Sequence, residues 1–441
     1  MNKCKTTYVL FMLLSLITFL SCSNSPSTIT ITPKDPTIAV ATTQQFTATA
    51  HYSYIFGNTK TEDITSSVTW SSGTKTVATI DTKGLATGIA NGTTTITATY
   101  ESISASTNLV VGGTAIADVY VVGYSSDSTP TVWKNGVKTD LTTINEAAYS
   151  VYVSGTDVYV AGTRLNTTDI PAHFVPTVLK NGNITDLPVM GCDARAYSVF
   201  VSGTDVYVAG YYGDCATYIA AVWKNGVRTD LNLTGTDAMA RSVFVNGTNV
   251  YVSGYYSPND GSYNAVAAVW KNGVRTNLSV EDPLLGSAQA NSVYVSGTDV
   301  YVAGYYNNGS NDIAAVWKIA NGGAPTKTDL PDESLGAQAN SVYVNGSDVY
   351  ISGYYNNATS SMAAVWKITN GGVPIKTDLP DGLLGAQANS VYVNGSDLYV
   401  AGYYYDGSNN IAAIWKNGVK TDLTVTGSYA AANSVYVNLH Y

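Results

Sequence analysis

Charge is scarce in this chain of 441 residues: 12% of them are Asp, Glu, Lys or Arg, about half the usual share, and the formal balance is −9. No basic patch exists to release counterions from a phosphate backbone, which excludes nucleic acid as a partner. Histidine is nearly missing. His51, His173 and His440 lie far apart, and neither H-E-x-x-H nor Cys-x-x-Cys occurs, so the common zinc frameworks are excluded and no metal site is expected. Segments 307–312 and 406–410 are rich in Asp and Asn but lack the alternating D-x-D-x-D-G order of a calcium loop. There is no cofactor fingerprint, no nucleophile elbow and no isolated polar triad, so no cofactor is expected. The polar surface must come from Asn, Ser, Thr and Tyr, of which Tyr alone supplies 34.

What the chain has instead is repetition. Four strand-like motifs, here called a, b, c and d, each recur seven times after Asp118. Motif a, SVYV or SVFV, starts at Ser150, Ser198, Ser242, Ser292, Ser341, Ser390 and Ser434. Motif b, DVYVAG or a variant, starts at Asp118, Asp157, Asp205, Asn249, Asp299, Asp348 and Asp397. Motif c centres on Trp133, Leu179, Trp223, Trp270, Trp317, Trp366 and Trp415, and motif d closes on a Leu such as Leu141 or Leu231. The region begins at b and stops after a seventh a, so the last strand has no sequential partner. Its natural partner is the set starting at Asp118, which lacks an a. Four strands per unit of about 40 to 50 residues, cut out of phase with the chain ends, predict a closed β-propeller of seven blades.

The turns agree with this. G-T and G-S between a and b suit a type II′ hairpin that opposes Phe200 to Tyr207 and Val201 to Val206, and K-N-G between c and d suits type I′. The Trp of motif c could serve as a ligand platform, but its place in an apolar A-A-V-W run favours packing between blades. The N-x-[ST] triplets at Asn246, Asn345 and Asn394 sit in the a to b hairpin and read as turn residues.

The N-terminus is of another kind. Residues 1–21 carry two lysines and then the apolar run 8–20, too short to span a bilayer, and read as a secretory signal. The Leu20-Ser21-Cys22 ending resembles a bacterial lipoprotein signal, with Cys22 as the lipidated first residue, although Phe19 stands where Leu is usual. Residues 22–27 read as a polar tether and residues 28–112 as a separate β unit. Trp70, the Val77-Ala78-Thr79-Ile80 strand, Gly84-Leu85-Ala86-Thr87-Gly88, and Gly92 with Thr95-Ile96-Thr97-Ala98 resemble, in order and spacing, the group 2 bacterial Ig-like domain (BIG2). The resemblance implies a β-sandwich of the kind found as stalks in bacterial surface proteins and adhesins, and it implies no activity. Residues 113–441 are similar to bacterial β-propeller repeats of the N-V-Y-V-x-G-Y type. The expected fold is therefore all-β, an Ig-like sandwich followed by a seven-bladed propeller.

In such a blade the b to c and d to a loops share one side of the disc, and here they are long and varied, as binding loops on rigid scaffolds are. Tyrosine doublets end motif b, and the second member of each, Tyr212, Tyr256, Tyr306, Tyr355 and Tyr404, either packs among the valines or splays into the loops. Strand parity puts the first member in the core. Near the start of a lie Asn291, Asn340 and Asn389 with Gln289, Gln338 and Gln387, and with Arg195 and Arg241 in two earlier copies. These amides either ring the mouth of a central channel or cap the turn before a. Cys192 and Cys215 are expected to form a disulfide: with Gly203-Thr204 as the turn, opposed residues sum to 407, as 192 and 215 do.

Together these features predict an exported, monomeric protein, lipid-anchored to a bacterial outer membrane or cell surface. Its membrane contact is through the lipid alone. Its loop face binds glycan or a surface protein, near-identical copies giving avidity. One alternative is a polysaccharide hydrolase or lyase using loop-face carboxylates such as Asp193, Asp214, Asp260, Glu281, Asp282, Asp312 and Glu333. The other is a structural spacer.

Overall fold

A computed structural model describes residues 25–53, 59–112, 116–125, 129–142, 146–168, 172–189, 193–213, 217–231, 235–258, 264–278, 286–332, 335–380, 384–423 and 429–440. The expected signal segment, the expected lipidation site Cys22 and the expected Cys192–Cys215 bridge lie outside these residues. The chain forms two compact units that part between Ala117 and Asp118.

In the first unit, Thr alternates with Ile or Ala, and strands Thr28–Thr32 and Thr47–Ser53 bury every second side chain. Three small sheets result, the largest ordering Thr37–Ile38, Ile103–Val111, Gly92–Tyr100 and Thr69–Ser72. Phe46, Ile96, Leu109 and Trp70 fill the space between them, and the Trp70 indole N–H is satisfied by the Thr65 carbonyl at 2.9 Å. Gly84 explains the G-L-A-T-G run. Its φ is +80°, and a Cβ there would lie 2.6 Å from the Phe46 carbonyl and 3.1 Å from the Trp70 ring.

The second unit consists of seven four-stranded antiparallel sheets. Sheets 2 to 7 each run a-b-c-d in chain order, their a strands being Ala147–Ser154, Asp193–Ser202, Gly235–Asn246, Ala288–Ser296, Ala337–Asn345 and Ala386–Asn394. Sheet 1 takes its b, c and d strands from Ile116–Ser125, Thr129–Lys134 and Val137–Asp140, and its a strand is the last of the chain, Ala431–His440.

Both hairpin turns form as their residues dictate. In the c to d turns, Asn135, Asn181, Asn225, Asn272 and Asn417 have φ of 49–52° and the following Gly 79–82°, the type I′ signature. The Asn side chain then works twice. At Asn225 it accepts from Val206 N–H (2.8 Å) and donates to Asp205 (2.7 Å), while Lys224 closes on Asp205 at 2.7 Å. In the a to b turns, Gly203 and its counterparts have φ near +60°, and Phe200 faces Tyr207 as the turn length requires.

Successive sheets are fastened by what look like invariant letters in the repeat. The Ser of each SVYV accepts a hydrogen bond from the first Val N–H of the next a strand: Ser150 from Val199, Ser198 from Val243, Ser242 from Val293, Ser292 from Val342, Ser341 from Val391, Ser390 from Val435, and Ser434 from Val151. The seventh bond joins sheet 1 to sheet 2, where the series began. The central aromatics of the a strands do the same, in the order Tyr152, Phe200, Phe244, Tyr294, Tyr343, Tyr392, Tyr436 and back to Tyr152, with neighbouring ring centroids 4.7–5.1 Å apart. The six Trp of strand c are fully buried, with Leu179 at 1%, and Trp223, Trp366 and Trp415 donate to the carbonyls of Pro188, Pro331 and Pro380 in the preceding sheet. They are packing residues.

One feature departs from the expected register. Strand a carries a β-bulge at Tyr149, Tyr197, Arg241, Asn291, Asn340 and Asn389, the residue just before the Ser. Opposed residues in sheet 3 sum to 407 up to Ser198–Ala209, but to 406 from Ala196–Gly210 to Asp193–Gly213. The register that opposed Cys192 to Cys215 therefore does not continue past Tyr197. The bulge also presses the a-strand carbonyl onto strand b, and only Gly fits beneath it. A Cβ at Gly210 would lie 1.9 Å from the Arg195 oxygen.

Candidate functional site

The bulge residues line the loop end of the a strands, and there the seven copies stop being equivalent. Asn291, Asn340, Asn389 and Asn433 each donate a side-chain N–H to a backbone carbonyl of the next sheet, at Ala339, Ala388, Ala432 and Ala148, over 2.9–3.0 Å. The other three positions hold Tyr149, Tyr197 and Arg241. They pack on one another instead. Tyr149 and Tyr197 meet edge to face at 5.0 Å, and the Arg241 guanidinium lies 4.7 Å from the Tyr197 ring centroid and 5.6 Å from that of Tyr255.

Three residues before the Ser of the bulge strand the copies diverge again. At the place occupied by Gln289, Gln338 and Gln387, sheets 3 and 4 carry Arg195 and Met239, and sheets 2 and 1 carry Ala147 and Ala431. Where the side chain is cut back to Ala, space opens. A cavity of about 390 Å³ is lined by Tyr124, Glu146, Ala147, Tyr149, Arg195, Tyr429 and Asn433, contributed by sheets 1, 2 and 3 and the segment before the last strand. This is within the range of small-molecule sites. Tyr429 is 63% exposed and sits at φ +65°, a conformation that costs a bulky residue energy and is kept where surrounding structure imposes it.

Arg195 is held on two sides. Its Nη1 donates to the Tyr149 hydroxyl at 3.1 Å and its guanidinium lies 5.2 Å from the Phe174 ring centroid, while its Nε is buried with no hydrogen-bond partner. Burial works against the cation, but the surrounding Tyr149, Tyr211 and Tyr197 hydroxyls outweigh it, so Arg195 is held charged beyond its ordinary value. Burial also pushes up the hydroxyls of Tyr124, Tyr354, Tyr305 and Tyr403, the last two to about 12, so all are neutral donors at physiological pH. The next layer along the a strands is the seven-membered aromatic ring, where burial raises the hydroxyls of Tyr152, Tyr294, Tyr343, Tyr392 and Tyr436.

Most residues singled out in the sequence have structural employment. Tyr212, Tyr256, Tyr306 and Tyr355 are 3–9% exposed. Their rings cross the small Ala residues of strand c to reach strand d. Tyr212 and Tyr306 donate to Asp230 and Asp329 at 3.1 Å, Tyr256 accepts from Asn277 at 3.1 Å, and Arg228, Arg275, Lys327 and Lys376 cover the four rings at 3.3–4.1 Å. Tyr404 follows the pattern, donating to Asp422, but stays half-buried. Of the first tyrosines, Tyr211 is buried as expected, 3% exposed, and donates to Asp193, whereas Tyr255, Tyr305, Tyr354 and Tyr403 are half-buried at the bulge end, as is Tyr124 at the matching place in sheet 1. Asn291, Asn340 and Asn389 are clamps rather than turn caps or ligand donors. Gln338 is spent on Asp312 at 2.7 Å, and Gln387 lies half-buried opposite Tyr403. The residues missed were Tyr124, Glu146, Tyr149 and Tyr429. A signal for Tyr149 was present, since it stands where four copies carry Asn.

Of the loop-face carboxylates, Asp214, Asp260, Glu281, Asp282 and Glu333 lie outside the described residues. Asp312 is held by Gln338 and Asn307. Among the described residues no group of three His, Cys, Asp or Glu is placed to hold a metal.

Residues 27–111 match the family model of the bacterial Ig-like domain (group 2). Ice-binding protein 1 of Shewanella frigidimarina (strain NCIMB 400) is 40% identical over 95 residues, 22% of this chain and 10% of that protein. The chain thus spans about a tenth of the length of the curated relative it matches. Solved structures with partial likeness include a subtype N11 neuraminidase-like protein of A/flat-faced bat/Peru/033/2010 (TM-score 0.41, 12% identity, 66% of this chain and 85% of that one). TolB from Acinetobacter baumannii has a TM-score of 0.41 at 12% identity over 72% of this chain and 82% of its own, and a Bacteroides thetaiotaomicron protein of unknown function 0.36 at 14% over 86% and 96%. The N-terminal unit of this chain is a bacterial Ig-like domain.

Proposed function

We propose that this chain is an exported surface protein, lipid-anchored through Cys22, in which the Ig-like unit carries a closed seven-bladed β-propeller whose mouth binds a glycan. The blade assignment is supported by the seven sheets, the return of the Ser–Val bonds from Ser434 to Val151, and the aromatic ring that passes through all seven a strands. The anchor is supported by the apolar run before Cys22 and by the Ig-like unit that follows it.

The observation that carries the binding reading is the cavity where the repeat is broken. Three tyrosines, an arginine, a glutamate and an asparagine from different blades converge on one concavity, while Asn291, Asn340 and Asn389 clamp three of the four remaining blades. Aromatic faces edged by polar groups suit a sugar ring, which presents apolar C–H faces and hydroxyl edges. Glycan binding is favoured over glycan cleavage because, among the described residues, Glu146 is the one carboxylate lining the cavity, whereas acid–base hydrolysis needs a facing pair. The named activity of ice-binding protein 1 is not carried over, since the shared segment is a tenth of that protein.

The test is a glycan array probed with residues 23–441 and with the Tyr429→Ala variant. Capture of a defined set of glycans, lost in the variant, is expected. Equal capture by both would remove the cavity from the account.

A further inference from the structure

Pairing of cations with carboxylates is the habit of this chain. Arg164 and Arg228 meet Asp186 and Asp230, and Lys134, Lys180, Lys224, Lys318, Lys367 and Lys416 each meet the Asp that opens their own strand b. Arg195 and Arg241 break it. Among the described residues neither forms an ion pair, and the Nε of each is buried without a hydrogen-bond partner. A half-buried guanidinium with unmet donors is costly in a folded protein, and the cost is recovered when an anion arrives. Both arginines belong to neighbouring a strands at the bulge end, both are framed by tyrosine rings, and Arg195 lines the cavity.

The geometry points to a carboxylate-bearing sugar as the occupant, its carboxylate received by Arg195 with Arg241 adding to the field. This rests on the glycan-binding reading above and names the class of glycan. The planar guanidinium fork matches a carboxylate and gives charge-assisted bonds stronger than neutral ones. The Arg195 face is already fixed by Tyr149 and Phe174, so little side-chain freedom remains to be lost on binding. The Glu146 carboxylate in the same lining fixes the rest of the choice. It accepts hydrogen bonds from ring hydroxyls and repels a second negative group, which selects a singly charged sugar with free hydroxyls over a polysulfated chain. Tyr124, Tyr149 and Tyr429 supply neutral hydroxyls and apolar walls.

The experiment is calorimetric titration of residues 23–441 with galacturonate and with 3′-sialyllactose, each singly charged and each beside its carboxyl-reduced counterpart. At least one acidic sugar is expected to bind about tenfold or more tighter than its reduced partner, the margin of a charged hydrogen bond. The preference should vanish in Arg195→Gln and shrink as salt rises. Ala147→Gln, which introduces the side chain that three of the seven copies carry here and leaves both arginines in place, should abolish binding of both partners at unchanged melting temperature. Equal affinity for acidic and reduced sugars would overturn the inference while leaving the glycan reading intact. Binding of none of the four would overturn both. An acid preference that survives in Arg195→Gln would also overturn it, by placing the carboxylate elsewhere.

Discussion

Replacing Gly210 with Ala tests why strand b carries a Gly at its middle. The φ there is an ordinary one, so the reason is space: the new Cβ would lie 1.9 Å from the Arg195 oxygen, 2.9 Å from its carbonyl carbon and 3.1 Å from the Ala196 Cα. All three atoms are backbone, so no rotamer change relieves the contact. Strand b would have to retreat by about 1 Å to reach even 3.0 Å, in an interior packed too densely to yield freely. Such overpacking costs about 3 kcal/mol, and at about 2 °C for each kcal/mol in a unit of this size the melting temperature should fall by about 6 °C. Gly203→Ala is the comparison. It has φ +60° and nothing within 4 Å, so its cost is the backbone term alone, about 1 kcal/mol. Urea and thermal unfolding of the two variants should rank Gly210→Ala well below Gly203→Ala. Equal stability of Gly210→Ala and the parent protein, or the reverse ranking, would refute the argument that the bulge dictates the Gly.

Three further outcomes follow from the same geometry. Removing residues 434–441 takes away Val435, Tyr436 and Val437 and the acceptor for Val151 N–H, and should cost at least about 4 kcal/mol; an unchanged melting temperature would contradict closure through the last strand. Cys22→Ala should move the protein into the aqueous phase on detergent phase separation, and unchanged membrane association would count against the lipid anchor. Tyr306→Phe should lose about 1 kcal/mol of stability by removing one hydrogen bond to Asp329, which keeps Lys327, while glycan capture is retained, the opposite of Tyr429→Ala, which should spare stability and lose capture.

Much of the fold was legible because its signals are local. Asn-Gly demands a type I′ turn and delivers one, Gly-Thr fixes a two-residue loop, and the unpaired seventh a strand names its own partner. The Ser of SVYV was visible as a repeat, but its bond to the next sheet was not, since nothing in a strand pattern says which neighbour a side chain meets. Two features of the candidate site were not legible. The bulge at Tyr197 inserts a residue into strand a, which no turn or periodicity announces, and it shifts every pairing beyond it by one. Small residues in strand c, such as Ala221, then let Tyr212 and its counterparts fold over the sheet to strand d, which leaves the first tyrosine of each doublet at the bulge end. The informative signal was the break in repetition: Tyr149, Tyr197 and Arg241 where Asn belongs, and Ala147 where Gln does.

The central claim is that the broken part of the ring is where the ligand sits. Hydrogen exchange of residues 23–441, with and without the glycan captured on the array, measures this directly. Slowed exchange is predicted in strands Ala147–Ser154 and Asp193–Ser202 near Tyr149 and Arg195, and in the segment around Tyr429, with Ala337–Asn345 and Ala386–Asn394 unchanged. Protection confined to those last two strands, or to the Asn-Gly turns at the other end of the sheets, would contradict it.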